Sequence, residues 1–202
     1  MGFKDLKAKY LIETATKLFL KRGIAEVTIK DIASEAEIGE ATIYRYFTKK
    51  QNIVLAVALS LKEKVFRGYF DLSKGKTGFE KVEIFYNSYL NIFQSSPEYF
   101  YFINEFDAYM CMEENTSLEE YEKEIDSFKS QYLKAYEEGL KDQSIRKVDS
   151  IETFYFSTTH SLLELCKKLA VTRALLKQDK NGQKAAEIEC LIKIILDSLR
   201  PC

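Results

Sequence analysis

Residues 39–50 combine small side chains with tyrosines and cations, residue types that suit contact with a phosphate backbone. Small residues near the start of a helix let it enter the major groove of DNA, about 12 Å wide; here they are Gly39, Ala41 and Thr42. Hydroxyls and cations that can bind phosphate oxygens follow at Tyr44, Arg45, Tyr46 and Lys50. Because Tyr44 and Tyr46 are two residues apart on a helix, we expect Tyr44 to face outward and Tyr46 or Phe47 to face the core.

Local signals predict the helices that would position this segment. Apolar spacing predicts a helix over 6–22 that ends at Arg22-Gly23. Thr28 and Asp31 form a capping-box pattern, which predicts a short helix ending near Glu35. A further short helix is predicted over 40–46, joined to the previous one by about four residues, 36–39. Two short helices joined in this way make a helix-turn-helix.

The remaining chain is also predicted to be helical, since no segment shows the period of two that is typical of a strand. A second capping box, Thr48 with Gln51, predicts a long helix over 49–70, and residues 71–78 are predicted as a loop. Further helices are predicted over 79–94, 97–112 with Pro97 in its first turn, 117–140, 150–171 and 183–199. We therefore predict an all-α fold with a three-helix DNA-binding domain at 1–48 and a larger ligand-binding and dimerisation domain at 49–202. Helix 49–70 links the two.

Charge and composition limit the function classes. The 30 Lys and Arg residues against 31 Asp and Glu give a net charge of −1, which argues against a uniformly basic nucleic-acid coat. Residues 1–50 have a net charge of +3 and the rest −4, as expected of a DNA-binding head on an acidic body. We find no secretory signal and no membrane-spanning segment, which predicts a cytoplasmic protein with no membrane partner.

No catalytic or metal-binding constellation is recognisable. One histidine, His160, and four dispersed cysteines at 111, 166, 190 and 202 predict neither a metal site nor a disulfide framework, and we expect no cofactor. Paired carboxylates occur at 113–114, 119–120 and 137–138, and we expect them on solvated helix faces. The sequence therefore predicts that the protein is not an enzyme.

The helix-turn-helix residues carry a family resemblance. The run 15–19 (ATKLF), Gly23, 28–33 (TIKDIA), Ala36 and 41–50 (ATIYRYFTKK) resembles the DNA-binding domain of the tetracycline-repressor (TetR) family over about residues 10–53. The resemblance implies phosphate contacts at Thr28 and Lys50, and backbone or base contacts at Thr42 and Tyr44. Positions 40, 41 and 45 lie where the family varies to set sequence preference. The implied DNA-contacting set is Thr28, Lys30, Glu40, Ala41, Thr42, Tyr44, Arg45, Lys49 and Lys50.

Three residues depart from the family pattern. Glu37 replaces the turn glycine, Gly39 the usual serine cap and Ala41 a second glycine. A non-glycine residue in a left-handed turn costs about 1–2 kcal/mol, whereas glycine caps a helix at only a small loss. The departures leave the turn geometry open.

Aromatic residues are dense on three successive predicted helices after residue 78. Each one alone is more often core than pocket, but many buried tyrosine hydroxyls need partners, which a ligand or a wet cavity would supply. His160 is favoured as a core or interface residue over a ligand contact. The predicted binding site for a small, mostly apolar effector consists of Tyr86, Tyr89, Phe93, Phe102, Phe106, Tyr109, Phe128, Tyr132 and His160.

Segments 150–171 and 183–199 are apolar on nearly every side, so we expect each to be buried both by the body and by a second copy in a homodimer. The resemblance then implies a transcriptional regulator, by family tendency a repressor, that leaves a palindromic operator when a small effector binds. The alternatives are an all-helical small-molecule-binding protein or enzyme without DNA function, and a helical adaptor that binds protein.

Overall fold

The computed structural model describes residues 3–113, 117–171 and 183–201, and within them the chain forms nine α-helices and no strand. The prediction of an all-α fold is confirmed. The helices are α1 (Phe3–Arg22), α2 (Ile29–Glu35), α3 (Glu40–Tyr46), α4 (Lys50–Tyr69), α5 (Gly78–Ser95), α6 (Glu98–Met110), α7 (Glu119–Lys141), α8 (Ile151–Ala170) and α9 (Lys184–Asp197).

Several predicted helix ends were wrong by one or a few residues. Helix α4 begins at Lys50, so Lys49 is the residue directly before it. The predicted capping box required Thr48 at that position. Pro97 precedes α6 and is not its first residue. The predicted loop 71–78 contains a short 3₁₀ turn, Leu72–Lys74, and its last residue already begins α5.

A capping box that the sequence analysis missed explains the early start of α5. The Thr77 hydroxyl oxygen accepts a hydrogen bond from the Glu80 backbone N–H at 3.2 Å, and the Glu80 carboxylate accepts one from the Thr77 N–H at 3.3 Å. The pattern Thr-x-x-Glu at 77–80 was visible in the sequence and predicts this start.

The chain divides into two compact units. Unit 1 comprises Met1–Lys64 and Tyr101–Tyr121, and unit 2 comprises Val65–Phe100 and Glu122–Cys202. Helices α4, α6 and α7 each have residues in both units. The sequence analysis divided the chain by function, between residues 48 and 49, and this division differs from that of the two compact units. The functional division stays a prediction.

Each unit has its own core. In unit 1, α1 contacts α2 and α2 contacts α3 around aliphatic residues that include Leu11, Ala15, Ile24, Val27, Ile32, Ala33 and Ile43. In unit 2, α5 contacts α8 and α9 around a core rich in aromatic rings: Phe85, Tyr86, Phe128, Tyr132, Tyr136 and Tyr155.

Candidate nucleic-acid interface

The turn between α1 and α2 is fixed at both ends. Gly23 ends α1 with φ +86°, a conformation that glycine adopts without the Cβ penalty of other residues. At the start of α2, the Thr28 hydroxyl oxygen accepts from the Asp31 N–H at 3.1 Å, and the Asp31 carboxylate accepts from the Thr28 N–H at 2.7 Å and from its hydroxyl at 2.6 Å. The predicted capping box is confirmed.

Asp31 also joins α2 to α1. Its carboxylate lies 3.1 Å from the Arg22 guanidinium. The hydrogen bonds from Thr28, together with Arg22, lower the pKa of Asp31 from 3.8 to about 2. The carboxylate is therefore charged at every physiological pH, and it balances the positive charge at the end of α1.

The turn between α2 and α3 has the geometry that a helix-turn-helix requires. Glu37 takes φ +53°, so a non-glycine residue occupies the left-handed position, and the turn geometry that the departures from the family pattern left open is settled. The Ile38 N–H donates to the Ala33 carbonyl at 3.0 Å, which closes the end of α2. Gly39 is the N-cap of α3, and its carbonyl accepts from the Thr42 N–H at 2.8 Å.

Helix α3 presents one face to the core and the other to solvent. Ile43 and Phe47 are buried, whereas Tyr44 is 50% exposed. The predicted outward position of Tyr44 and inward position of Phe47 are confirmed. Arg45 is exposed, and its guanidinium carbon lies 5.6 Å from the centroid of the half-buried Tyr46 ring.

The predicted DNA-contacting residues lie mostly on the surface of unit 1. Seven of them are exposed, namely Thr28, Lys30, Glu40, Ala41, Tyr44, Arg45 and Lys49, and Thr42 and Lys50 are half-buried. The Lys50 ammonium donates to the Ala25 carbonyl at 3.3 Å and lies 5.0 Å from the centroid of the Tyr109 ring. Exposed cations and hydroxyls on α2, α3 and the start of α4 can bind phosphate oxygens.

The residues predicted to bind an effector are divided between the two units. Phe102, Phe106 and Tyr109 belong to unit 1, and the other six belong to unit 2. In unit 2 the rings pack against one another, with the centroids of Phe85 and Phe128 at 4.8 Å and those of Phe85 and Tyr132 at 4.9 Å.

The hydroxyls of Tyr86 and Tyr132, both buried in unit 2, find partners within the protein. The Tyr86 hydroxyl donates to the Tyr132 oxygen at 3.1 Å and lies 2.7 Å from the Thr158 hydroxyl. Burial raises the pKa of Tyr86 to about 12 and raises that of Tyr132 further, so both phenols stay protonated. The need for hydrogen-bond partners, which favoured a ligand in the sequence analysis, is met here by protein groups.

His160 is exposed on α8, which excludes the core position, and the interface position that was predicted as its alternative stays a prediction. Its ring centroid lies 5.6 Å from that of Phe156, one helical turn earlier and 41% exposed. This places His160 on a partly apolar surface of α8.

Two clefts open on the surface of unit 2 along α7. One, of about 200 Å³, is lined by Phe66, Arg67, Phe70, Glu124, Ser127, Phe128 and Gln131. The other, of about 260 Å³, is lined by Leu72, Ser73, Lys81, Gln131, Lys134, Ala135 and Glu138. The first has an aromatic floor and a polar rim, and Phe128 is the predicted effector residue that lines it.

The sequence predicted that the paired carboxylates lie on solvated helix faces, and for two of them this was wrong. Glu113 is half-buried and accepts a hydrogen bond from the Gln51 side-chain amide. Glu138 is half-buried and pairs with Lys81, which lowers the pKa of its carboxyl. Both partners are distant in sequence, which is why charge patterning alone did not reveal them.

The described ranges hold neither a cluster of metal-ligand side chains nor a helix that could span a membrane. Within residues 3–113, 117–171 and 183–201, no three His, Cys, Asp or Glu side chains are grouped as metal ligands would be. None of the helices described there combines the length and apolar character needed to cross a membrane. Cys111 and Cys190 are free and exposed, Cys166 is free and buried, and Cys202 lies outside the described residues.

The fold and the surface of α3 define an all-helical protein with an N-terminal helix-turn-helix. Residues 11–57 match the family model described as bacterial regulatory proteins, tetR family. The HTH-type transcriptional regulator TtgR of Pseudomonas putida is 42% identical over 53 residues, which cover 26% of this chain and 25% of that protein. The matches to curated relatives span only about a fifth to a quarter of those relatives' length.

Solved structures extend the likeness in fold to the whole chain. A TetR transcription regulator from Haloarcula marismortui aligns over 98% of this chain and 100% of that chain, at 16% identity and a TM-score of 0.75. FadR from Bacillus subtilis in complex with stearoyl-CoA aligns over 94% and 98%, at 15% identity and a TM-score of 0.67. Residues 11–57 are therefore similar to the tetR family of bacterial regulatory proteins, and the whole chain shares the fold of these solved structures.

Proposed function

We propose that the protein binds double-stranded operator DNA through α3 and regulates transcription in the cytoplasm. The exposed face of α3, which follows a capped α2 and a tight turn, is the observation that carries this proposal. Arg45 can donate two hydrogen bonds to guanine, worth about 1–3 kcal/mol of discrimination. Glu40 lies in the first turn of α3, where it interacts favourably with the helix dipole and can accept from a cytosine amine.

A gel-shift assay on the DNA upstream of the protein's own gene tests this proposal. We expect the wild type to shift this DNA, and Arg45→Ala to weaken the shift about 5- to 150-fold, by the loss of a base contact. Lys64→Ala is the matched control, since it removes an exposed cation of unit 1 outside α2 and α3. Equal behaviour of the Arg45 and Lys64 variants would contradict the role of α3.

Helices α8 and α9 support a homodimer. Phe156 and His160 are exposed on α8, and Ile194 on α9 is 62% exposed. Large apolar side chains left exposed on two neighbouring helices fit burial against a second copy. Two-fold symmetry would place two α3 helices about 34–36 Å apart on a palindromic operator.

Sedimentation analysis tests the dimer. We expect the wild type to sediment as a dimer and Ile194→Asp to shift it to monomer, because a charge would be buried in the interface. Ile125→Asp places the same charge at an exposed isoleucine of α7 and should leave the dimer intact. A wild-type monomer that is independent of concentration would contradict both the dimer and the operator symmetry.

For unit 2, we propose that it binds a small, mostly apolar effector that releases the protein from DNA as a repressor. FadR, which shares this fold, was solved with stearoyl-CoA. The cleft over Phe66, Phe70 and Phe128 offers an aromatic floor, but about 200 Å³ is below the roughly 300–1,000 Å³ of ligand pockets. An effector of ordinary size would therefore separate these rings, and α4, which runs through both units, would carry the displacement toward unit 1.

Thermal-shift measurements with stearoyl-CoA and with tetraphenylphosphonium, a lipophilic aromatic cation, test the effector site. Whichever probe stabilises the wild type should lose its effect on Phe128→Ala and keep it on Phe106→Ala. Phe128→Ala removes a phenyl ring from unit 2, and Phe106→Ala removes one from unit 1. If Phe128→Ala keeps the thermal shift and Phe106→Ala loses it, the effector site lies in unit 1. If the probe still releases both variants from DNA, neither phenylalanine belongs to the effector site.

A further inference from the structure

Helix α6 and the turn after it contribute three side chains to unit 1 at a spacing of four residues. These are Glu105, Tyr109 and Glu113, which we call the α6 stripe. Backbone hydrogen bonds from the N–H groups of Cys111 and Glu113 continue the helical turns beyond Met110. Side chains four residues apart lie on one side of a helix. The stripe therefore presents one surface, and each of its members contacts residues 23–51.

Glu105 holds the turn between α1 and α2. Its carboxylate accepts a hydrogen bond from the Ile24 N–H at 3.3 Å. Gly23, the residue before, is so close that an added Cβ would lie 3.0 Å from the same carboxylate oxygen. The turn leads directly to Thr28, one of the predicted phosphate contacts, so Glu105 fixes the backbone from which α2 begins.

Tyr109 holds the Lys50 ammonium. The ring centroid lies 5.0 Å from Nζ, within the range of a cation–π contact, and the Ala25 carbonyl accepts from the same Nζ at 3.3 Å. An ammonium has three N–H donors, of which the Ala25 carbonyl uses one. Lys50 is half-buried, and its ammonium has donors left for a phosphate oxygen.

Glu113 acts on the neighbouring residue and on the charge of Lys50. Its carboxylate accepts from the Gln51 amide, which ties the start of α4 to the end of the stripe. Burial lowers the pKa of Lys50, and the nearby charges of Glu113 and Asp31 oppose that shift. Glu113 thus favours the protonated form that a phosphate would bind.

We propose that the α6 stripe is a positioning surface for DNA binding, which holds the α1–α2 turn and Lys50 in the arrangement that meets the phosphate backbone. This inference rests on the proposed DNA-binding function. Tyr109 and Glu105 act through Lys50 and the α1–α2 turn and do not themselves touch DNA. Because the lysine side chain is ordered before DNA arrives, less conformational entropy is lost on binding.

A double-mutant cycle between Tyr109 and Lys50 tests the proposal, with the affinity for the protein's own upstream DNA as the readout. We expect Tyr109→Leu to weaken binding about 3- to 10-fold, the cost of ordering one long side chain on binding. Tyr109→Phe keeps the ring and loses only the hydroxyl that hydrogen-bonds to Glu113, so it should bind more tightly than Tyr109→Leu does. In the Lys50→Ala background, Tyr109→Leu should have no further effect.

Several outcomes overturn the proposal and are distinguishable from a failure of the proposed function. Unchanged or tighter binding by Tyr109→Leu contradicts it, as does an equal loss in both backgrounds, since a purely structural role would be additive. Absence of binding by the wild type contradicts the proposed function instead. If Tyr109→Leu melts below the assay temperature, Tyr109→Met repeats the cycle with a flexible apolar side chain.

A measurement without DNA tests the other end of the stripe. Glu105→Ala should raise the hydrogen-exchange rate of the Ile24 amide, because that N–H loses its acceptor. Glu105→Gln retains an acceptor oxygen and should restore the protection. No change in exchange with Glu105→Ala would remove Glu105 from the stripe.

Discussion

The two units differ in what fills their cores. Unit 1 has a core of mostly aliphatic and small side chains that also includes Phe19, Phe47, Phe102 and Phe106. Its α1–α2 turn is fixed by local hydrogen bonds and by Glu105. Unit 2 closes around aromatic rings whose hydroxyls bond to one another, and clefts remain at the edge of the cluster. The proposed functions fit this difference, since hydrogen-bonded turns position the proposed DNA surface of unit 1 and clefts beside the aromatic cluster of unit 2 offer a place for the proposed effector.

The largest effect is expected in the aromatic core of unit 2. Phe85 is fully buried and makes ring contacts with Phe70, Tyr86, Phe128 and Tyr132. Phe85→Ala should lower the free energy of unfolding by about 3–5 kcal/mol, measured by denaturant titration. Ile125→Ala, at an exposed position on α7, should change it by no more than about 0.5 kcal/mol. A loss under about 1 kcal/mol for Phe85→Ala would mean that the aromatic core is loosely packed.

A pair of glycines tests how closely the helices of unit 2 approach. A Cβ at Gly78 would lie 2.0 Å from the Gly139 backbone nitrogen, where α5 meets α7. Gly78→Ala should therefore cost about 1–3 kcal/mol of unfolding free energy, because backbone must move. Gly68→Ala is the matched control: nothing lies within 4 Å of its added Cβ, and alanine should stabilise α4 by about 0.4–1 kcal/mol. A Gly78→Ala variant at least as stable as the wild type would contradict the close approach.

Equivalent capping boxes occur in both units and allow a direct comparison. Thr28→Ala in unit 1 and Thr77→Ala in unit 2 should each cost about 1 kcal/mol of unfolding free energy, because each leaves a backbone N–H without its acceptor. Only Thr28→Ala should also weaken DNA binding. Weaker binding by both variants would mean that the DNA affinity does not depend on Thr28 in particular.

The smallest effect is a dependence of stability on acid. The folded pKa of Asp31 is about 2, below its ordinary 3.8, so its charged form stabilises the protein above pH 3.8. That contribution should decline as the pH falls from about 4 and should be lost as it passes 2. Asp31→Asn should remove this component, which thermal melts between pH 2 and pH 5 would measure. Parallel pH profiles for the variant and the wild type would contradict the assignment.

Unit 1 was predictable because its signals are local. Gly23 after a basic residue, the Thr28 and Asp31 pair, and the four-residue turn at 36–39 each determine a helix end within a few positions. The left-handed backbone at Glu37 was left open, because a residue other than glycine stands at that position of the family pattern. The surface residues of α3 follow from the burial of Ile43 and Phe47.

Contacts over long sequence distances were not predictable. The bond between Ile24 and Glu105 joins residues 81 positions apart, and the contact between Tyr109 and Lys50 joins residues 59 positions apart. Periodicity shows which helix faces are apolar, but it does not show which faces meet. For the same reason, the sequence placed Phe102 and Phe106 together with Tyr132, whereas they belong to different units.

The salt dependence of binding to the protein's own upstream DNA tests the central claim most directly. Each phosphate contact contributes about −0.9 to the slope of log affinity against log salt concentration. The account predicts a steep negative slope for the wild type, reduced in magnitude by about 2 in Lys49→Ala, since a dimer loses two phosphate contacts. A slope near zero, or an identical slope for wild type and Lys49→Ala, would contradict a DNA-binding surface at α3 and the start of α4.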